Sequence, residues 1–361
     1  MNHWAQDAIG RGLRVASRVA AGAAQPAAVT VAGAGLLGVG TVGLQLWQAS
    51  QLSDGSPGNA PDDQGVYGPG ESAPWQLVVM GDSVANGIGA QRPGQTIGAR
   101  CARRIAEVSG RPVHLHSTAV NSVTSLGLPE QVDRALAHFP QPDLVLLSIG
   151  GNDIAQFADR DACLAALSEA VRRLVGAGAE VVVATCPDFG MIASLGQPLR
   201  WLMQQRSRGY AAAQTVAVVE AGGRTVSLGS LITRAFLDDP DRMFHTDRFH
   251  PSAQGYQRAA RVIVPSLLDA LHLPVGERDR ARAEGAVVET ADRLSLSRAA
   301  IRAAAQEGTE VLGAGEDAQE QRRQGVGRLG ALVRRRRQDP GDDADTAAPP
   351  RPVPFNHPEG M

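Results

Sequence analysis

The sequence predicts an α/β fold built in three layers, α/β/α, with a parallel sheet covered by helices on both faces. Two observations carry that expectation. Between residues 75 and 273, short apolar runs rich in β-branched residues alternate with segments of helical length and pattern. That is the order a parallel sheet with helical crossovers requires. The residues directly after several of those runs are small, polar or ionisable, and loops at the carboxyl ends of such strands are where these sheets bind ligands.

The elements follow in order. Residues 76–80 form a short apolar run that passes into Gly81-Asp82-Ser83, the look of a buried strand entering a loop. Residues 97–108 read as helix, 113–120 as strand, 129–139 as helix and 144–149 as a buried strand. Then come a helix over 161–176, a β-branched run over 181–185, a long helix over 198–221, a short last strand over 224–228 and a closing helix over 252–271. The domain so defined, 75–273, has a size ordinary for one folding unit.

The flanks differ in kind. No charged residue occurs from 19 to 53, and 27–47 is apolar and small, about the ~20 residues a membrane-spanning helix needs. Arg11, Arg14 and Arg18 precede it, which by the positive-inside rule leaves 1–24 in the cytoplasm and sends the rest outward. Cleavage as a signal peptide is the alternative for 25–49, and Trp47 spoils the candidate site after Ala49. Within this stretch 33–38 fits a G-x-G-x-x-G fingerprint, but no second strand follows to make a βαβ unit, so the membrane reading is preferred. Residues 50–74, rich in Gly, Pro, Ser and Asp, read as a flexible linker. Residues 274–361 are charged, with a basic run at Arg334, Arg335, Arg336 and Arg337, and are expected to be largely disordered with partial helix between 286 and 333.

Acidic and basic side chains nearly cancel, at a formal charge of −2, which gives no reason to expect nucleic acid as a partner. Cys101, Cys163 and Cys186 lack C-x-x-C spacing, which argues against structural zinc and redox catalysis. If any pair oxidises, Cys163 with Cys186 is the choice, and small buried thiols are the alternative.

The chemistry gathers at the strand ends. A serine nucleophile needs a base, a group that orients the base, and donors where an oxyanion forms. Ser83 stands at a strand end with Gly81 two places before it, His250 is the natural base, and Asp247, three residues earlier, can reach its other ring nitrogen. Asn152 after the third strand can aim its amide at an oxyanion, joined by the backbone N–H of Ser83 and that of Ser122. Each block alone reads as an ordinary turn or helix cap; three together, in order, read as one active site.

In Gly81-Asp82-Ser83, Gly150-Gly151-Asn152-Asp153 and Asp247-Arg248-Phe249-His250 the chain resembles the SGNH (GDSL-type) hydrolase family over about 75–273. The resemblance implies a flavodoxin-like sheet of about five parallel strands, no metal, no cofactor, and ester hydrolysis through an acyl-serine intermediate. It makes Ser83, His250 and Asp247 the catalytic residues. Ser83, Ser122 and Asn152 become the oxyanion donors, with Gly81, Asp82, Gly150 and Asp153 supporting them. One departure stands out: Ser122 occupies the place where the family's second block usually has glycine, and its N–H serves only if the local backbone angles are open to a residue with a Cβ.

Other residues carry weaker expectations. His114 and His116 share one side of a strand, but no third ligand is indicated, so a structural role is preferred. His245 lies near the rim of the site. Phe189, Met191 and Trp201 can wall an acyl pocket, with core packing the stronger reading. The expectation is a membrane-tethered, extracytoplasmic esterase for short-chain or acetyl esters of a small molecule or the cell envelope. Its rival is an acyltransferase using the same residues to move an acyl group onto a sugar or cell-envelope hydroxyl. An α/β-hydrolase fits less well because the G-x-S-x-G elbow fails at Ala85. A non-catalytic binding protein is the remaining class.

Overall fold

A computed structural model describes residues 59–228, 230–276, 286–290, 300–301, 303–304, 310–313 and 331–337. Its elements in chain order are β1 (Gly65–Tyr67), β2 (Trp75–Gly81), α1 (Ser83–Asn86), α2 (Ile97–Ser109), β3 (Val113–Ser117), α3 (Leu128–His138), β4 (Leu144–Ser148), α4 (Gly151–Ala155) and α5 (Arg160–Gly176). They continue with β5 (Glu180–Ala184), α6 (Leu199–Glu220), β6 (Arg224–Val226), α7 (Ser230–Asp238), α8 (Pro240–Met243), α9 (Ala253–Ala270), β7 (Ala286–Thr290), β8 (Glu310–Gly313) and β9 (Ala331–Arg337).

The sheet runs β1-β3-β2-β4-β5-β6-β8-β9-β7. Its five central strands, β3 to β6 in that order, are mutually parallel, as the alternating pattern predicts. The four outer strands are not: β1 joins β3 antiparallel, β8 joins β6 antiparallel, and β9 and β7 extend that edge. Among the described residues the sheet is therefore mixed and nine-stranded, where about five parallel strands were expected.

Alternation along each central strand divides the core. Leu77, Val79, Leu115, Leu146 and Val182 face one way, onto Ile97, Cys101 and Ile105 of α2 and Tyr256, Ile263 and Leu267 of α9. Val78, Met80, Val145, Leu147 and Val183 face the other way, onto Leu128 and Val132 of α3 and Leu167, Val171 and Leu174 of α5. Because both faces are covered, the strands read as unbroken apolar runs. Each large side chain buried this way contributes about 1.5–3 kcal/mol.

Both corrected edges have a physical cause. The stretch 50–74 was expected to be linker, yet Asp63 is buried, accepts a 2.5 Å bond from Thr96 Oγ1, and its carbonyl receives Tyr67 Oη at 2.6 Å. These contacts dock β1 beside β3. In the tail, β6 presents an unpaired edge that β8 fills, with Val226 opposite Glu310. Glu310 is buried and accepts from Ser266 Oγ at 2.7 Å and Arg224 Nη1 at 3.2 Å. A charged composition that reads as disordered conceals short segments that pair, the basic run 334–337 against 286–289 among them. The proposed anchor, 25–49, lies outside the described residues; among those described, no helix is long and apolar enough to cross a membrane.

Candidate active site

Strand β2 ends at Gly81, whose φ of 134° and close approach admit only glycine: a Cβ there would lie 1.8 Å from the Ser148 carbonyl oxygen of the neighbouring β4. Asp82 then caps the short helix α1, its Oδ1 accepting the Val84 N–H at 3.0 Å. Ser83 is the first residue of that helix and only 8 % exposed. The turn places its hydroxyl at the carboxyl end of the sheet.

The loop between α8 and α9 brings the histidine to it. Phe244 bridges Pro251, and the His245 N–H donates to the His250 carbonyl at 2.8 Å. The Arg248 N–H closes a turn on the His245 carbonyl at 2.9 Å, with Arg248 in left-handed backbone at φ 54°. Inside the loop Asp247 Oδ1 accepts the N–H groups of Phe249 and His250 at 2.9 and 3.0 Å. Its Oδ2 lies 2.7 Å from His250 Nδ1, and His250 Nε2 lies 2.9 Å from Ser83 Oγ.

Burial works to raise the Asp247 carboxyl, but the His250 bond and the two backbone N–H groups outweigh it and hold the group at about 2. Asp247 is thus ionised near neutrality, a carboxylate acceptor beside His250 Nδ1. Gly89 lets the chain pass beneath this loop; a Cβ on it would sit 2.4 Å from the Pro251 carbonyl oxygen.

Asn152 lies in the first turn of α4, just beyond β4, and is half-buried. Ser122 adopts φ 59°, the left-handed region glycine favours, so serine here accepts the backbone that the second-block position demands. Gln156 ties the two loops together: its N–H donates to the Asn152 carbonyl at 2.9 Å and its Nε2 to the Ser122 carbonyl at 2.9 Å. Asp153 is buried and joins more of the same end of the sheet. It accepts the Ser125 N–H at 2.8 Å, Ser125 Oγ at 2.5 Å and Tyr210 Oη at 2.6 Å.

Sequence reasoning missed Gln131, Gln214, Gln156, Ser125 and Tyr210. Gln131 Oε1 accepts the Gly81 N–H at 2.8 Å and its Nε2 donates to the Gly81 carbonyl at 2.9 Å. Gln214 likewise accepts from Cys186 N at 2.7 Å and donates to the Ile149 carbonyl at 3.0 Å. The available signal was a polar residue on the apolar stripe of a helix, as Gln131 is between Leu128 and Ala135.

Asp82 is buried and pushed up to about 7 by desolvation, with the Asp153 charge adding to it. His245 Nδ1 stands 3.7 Å from Asp247 Oδ2, at the rim as expected. Phe189 and Met191 are buried in the core, Phe189 edge-on to Phe249 at 6.4 Å, whereas Trp201 is 58 % exposed and walls nothing. His116 stacks on His138 at 3.8 Å, and His114 meets Phe139 edge-on at 5.1 Å, an aromatic cluster whose rings pack rather than converge on a point. The suggested Cys163–Cys186 pair does not form: all three cysteines are free and buried, with Cys163 Sγ directed to Asp153 and Cys186 Sγ to the Pro187 carbonyl.

A serine, a histidine and an aspartate stand in hydrogen-bonded series beyond the central parallel strands, the kind of arrangement that serves nucleophilic acyl chemistry. The GDSL-like Lipase/Acylhydrolase family matches residues 79–258. A GDSL-like esterase of Mycobacterium tuberculosis is 40 % identical over 221 residues, covering 58 % of this chain and 70 % of that protein. The chain belongs to the GDSL-like lipase/acylhydrolase family and is a carboxylic ester hydrolase. Among solved structures it is similar to LAE5, an alpha/beta hydrolase enzyme from the metagenome of Lake Arreo, Spain, at 20 % identity and TM-score 0.43, over 56 % of this chain and 96 % of that one. It is also similar to Axe2, an acetylxylan esterase from Geobacillus stearothermophilus, at 19 % identity and TM-score 0.40, over 56 % and 97 %.

Proposed function

We propose that the chain is a serine esterase acting through an acyl-serine intermediate on short-chain or acetyl esters. Ser83 Oγ attacks the ester carbonyl while its proton passes to His250 Nε2; the tetrahedral oxyanion collapses, and His250 returns the proton to the departing alkoxide. Water then repeats the sequence, releasing the carboxylic acid and regenerating Ser83. Asp247 holds the imidazole in the required tautomer and stabilises its charge. The N–H groups of Ser83 and Ser122 and the Asn152 amide receive the oxyanion, a contribution of about 2.7–4 kcal/mol for one donor.

One observation carries this reading: the continuous series Ser83 Oγ, His250 and Asp247 at 2.9 and 2.7 Å. The near-enclosure of Ser83 and the Phe249 ring 5.1 Å from the His250 ring support a small acyl group. A p-nitrophenyl ester panel of increasing chain length tests it. Turnover should be highest at acetate to butyrate and fall by about 10⁴-fold or more in Ser83→Ala; undiminished turnover in that variant refutes the assignment.

The apolar stretch 27–47 with arginines before it supports a domain held outside the cytoplasmic membrane. Protease added to intact cells should then digest the domain, and complete protection would overturn this location.

A further inference from the structure

The open groove between α2 and α9 is lined by four arginines, Arg100, Arg103, Arg104 and Arg261, with Glu107 the one carboxylate among its lining residues, and has a volume of about 350 Å³. Glu107 is engaged by Arg104 at 2.9 Å. Arg100 donates to the Gln95 and Ala253 carbonyls, both at 3.0 Å, and Arg103 donates to the Gly94 carbonyl. These acceptors are neutral, so they fix the side chains in place without cancelling their charge. Arg261 has no acidic partner among the described residues.

Like charges held together raise the energy of the fold unless something of opposite sign joins them. The effect registers on Arg100: burial lowers its pKa, and the charges of Arg103 and Arg261 push the same way. Arginines on an open helix face relieve such repulsion by splaying into water, but here backbone carbonyls tether two of the three. Guanidinium forks match phosphate oxygens in geometry, and three uncompensated cations suit a dianion better than a single carboxylate. We infer that this groove binds a phosphate group, carried by a soluble phosphomonoester or a lipid headgroup. None of its residues belongs to the Ser83 site.

The test is titration of the full chain with inorganic phosphate at low ionic strength, read by calorimetry. Saturable binding with Kd of about 1 mM or tighter is expected, weakened at least about 10-fold in the double variant Arg103→Gln/Arg261→Gln. The single variant Arg261→Gln, at an exposed position, repeats the test if the double variant folds poorly. Co-sedimentation with vesicles of phosphatidic acid in phosphatidylcholine in excess of that with phosphatidylcholine alone, the excess being lost on adding inorganic phosphate and in Arg103→Gln/Arg261→Gln, assigns the headgroup as the source. Phosphate binding without such an excess assigns a soluble phosphomonoester. Absence of phosphate binding, or equal binding by the variants, overturns the inference.

Discussion

The side-chain amide of Gln131 on α3 makes both of its hydrogen bonds with the peptide groups of Gly81, accepting the N–H at 2.8 Å and donating to the carbonyl at 2.9 Å. Gly81 is the last residue of β2, two places before Ser83, so this pair of bonds holds the strand end from which the Ser83 turn departs. Gln131→Leu keeps the bulk but leaves the buried N–H unpaired. Destabilisation of about 1–3 kcal/mol is expected, with kcat falling more than KM rises; urea unfolding and ester kinetics on the same preparation check it.

Gly89 is the close approach beneath the histidine loop. Its φ of 93° and the 2.4 Å distance from a built Cβ to the Pro251 carbonyl oxygen mean that Gly89→Ala must displace the segment carrying His250. A misplacement of about 1 Å is expected to lower kcat about 10²-fold. Steady-state kinetics measure it, and an unchanged kcat would show the loop to be adaptable.

Ser122 carries the backbone of a glycine. Replacing it by glycine removes the left-handed strain of a residue with a Cβ, so Ser122→Gly is expected to gain up to about 1 kcal/mol while keeping esterase activity. The Gln156 bond to its carbonyl does not involve the side chain and persists. Thermal melts compared with wild type test the gain.

Asp63 sets a pH dependence. Burial raises its folded pKa to about 6 from 3.8, opposed by the Thr96 hydroxyl. A carboxyl whose folded pKa is raised contributes stability below its unfolded pKa and loses it as pH rises through the folded value. Stability from this group therefore declines between about pH 4 and pH 6, by up to about 3 kcal/mol. Asp63→Asn has no such titration, so its advantage over wild type should grow across that interval and level off above it, as read from urea midpoints at each pH.

The central strands and the long helices were legible because burial on both faces writes continuous apolar runs and helical stripes. Ser83 stood out because it directly follows a buried strand, and Asp247 and His250 because a carboxylate three residues before a histidine can reach its ring, as the 2.7 Å contact between them shows. Gln131, Gln214 and Tyr210 were not legible, since each acts through backbone or carboxylate partners 28 or more residues away, which no local pattern records. The added strands escaped for a different reason. Gly65–Tyr67, at the sheet's edge, and Glu310–Gly313, between β6 and β9, are short segments whose pairing depends on the strands they meet rather than on their own composition.

Covalent capture of the nucleophile tests the account most directly. A fluorophosphonate probe incubated with the full chain, followed by peptide mass spectrometry, should leave one adduct, on Ser83, with labelling slowed strongly in His250→Ala and abolished in Ser83→Ala. A label on another residue, or labelling that survives loss of the Ser83 hydroxyl, would contradict it.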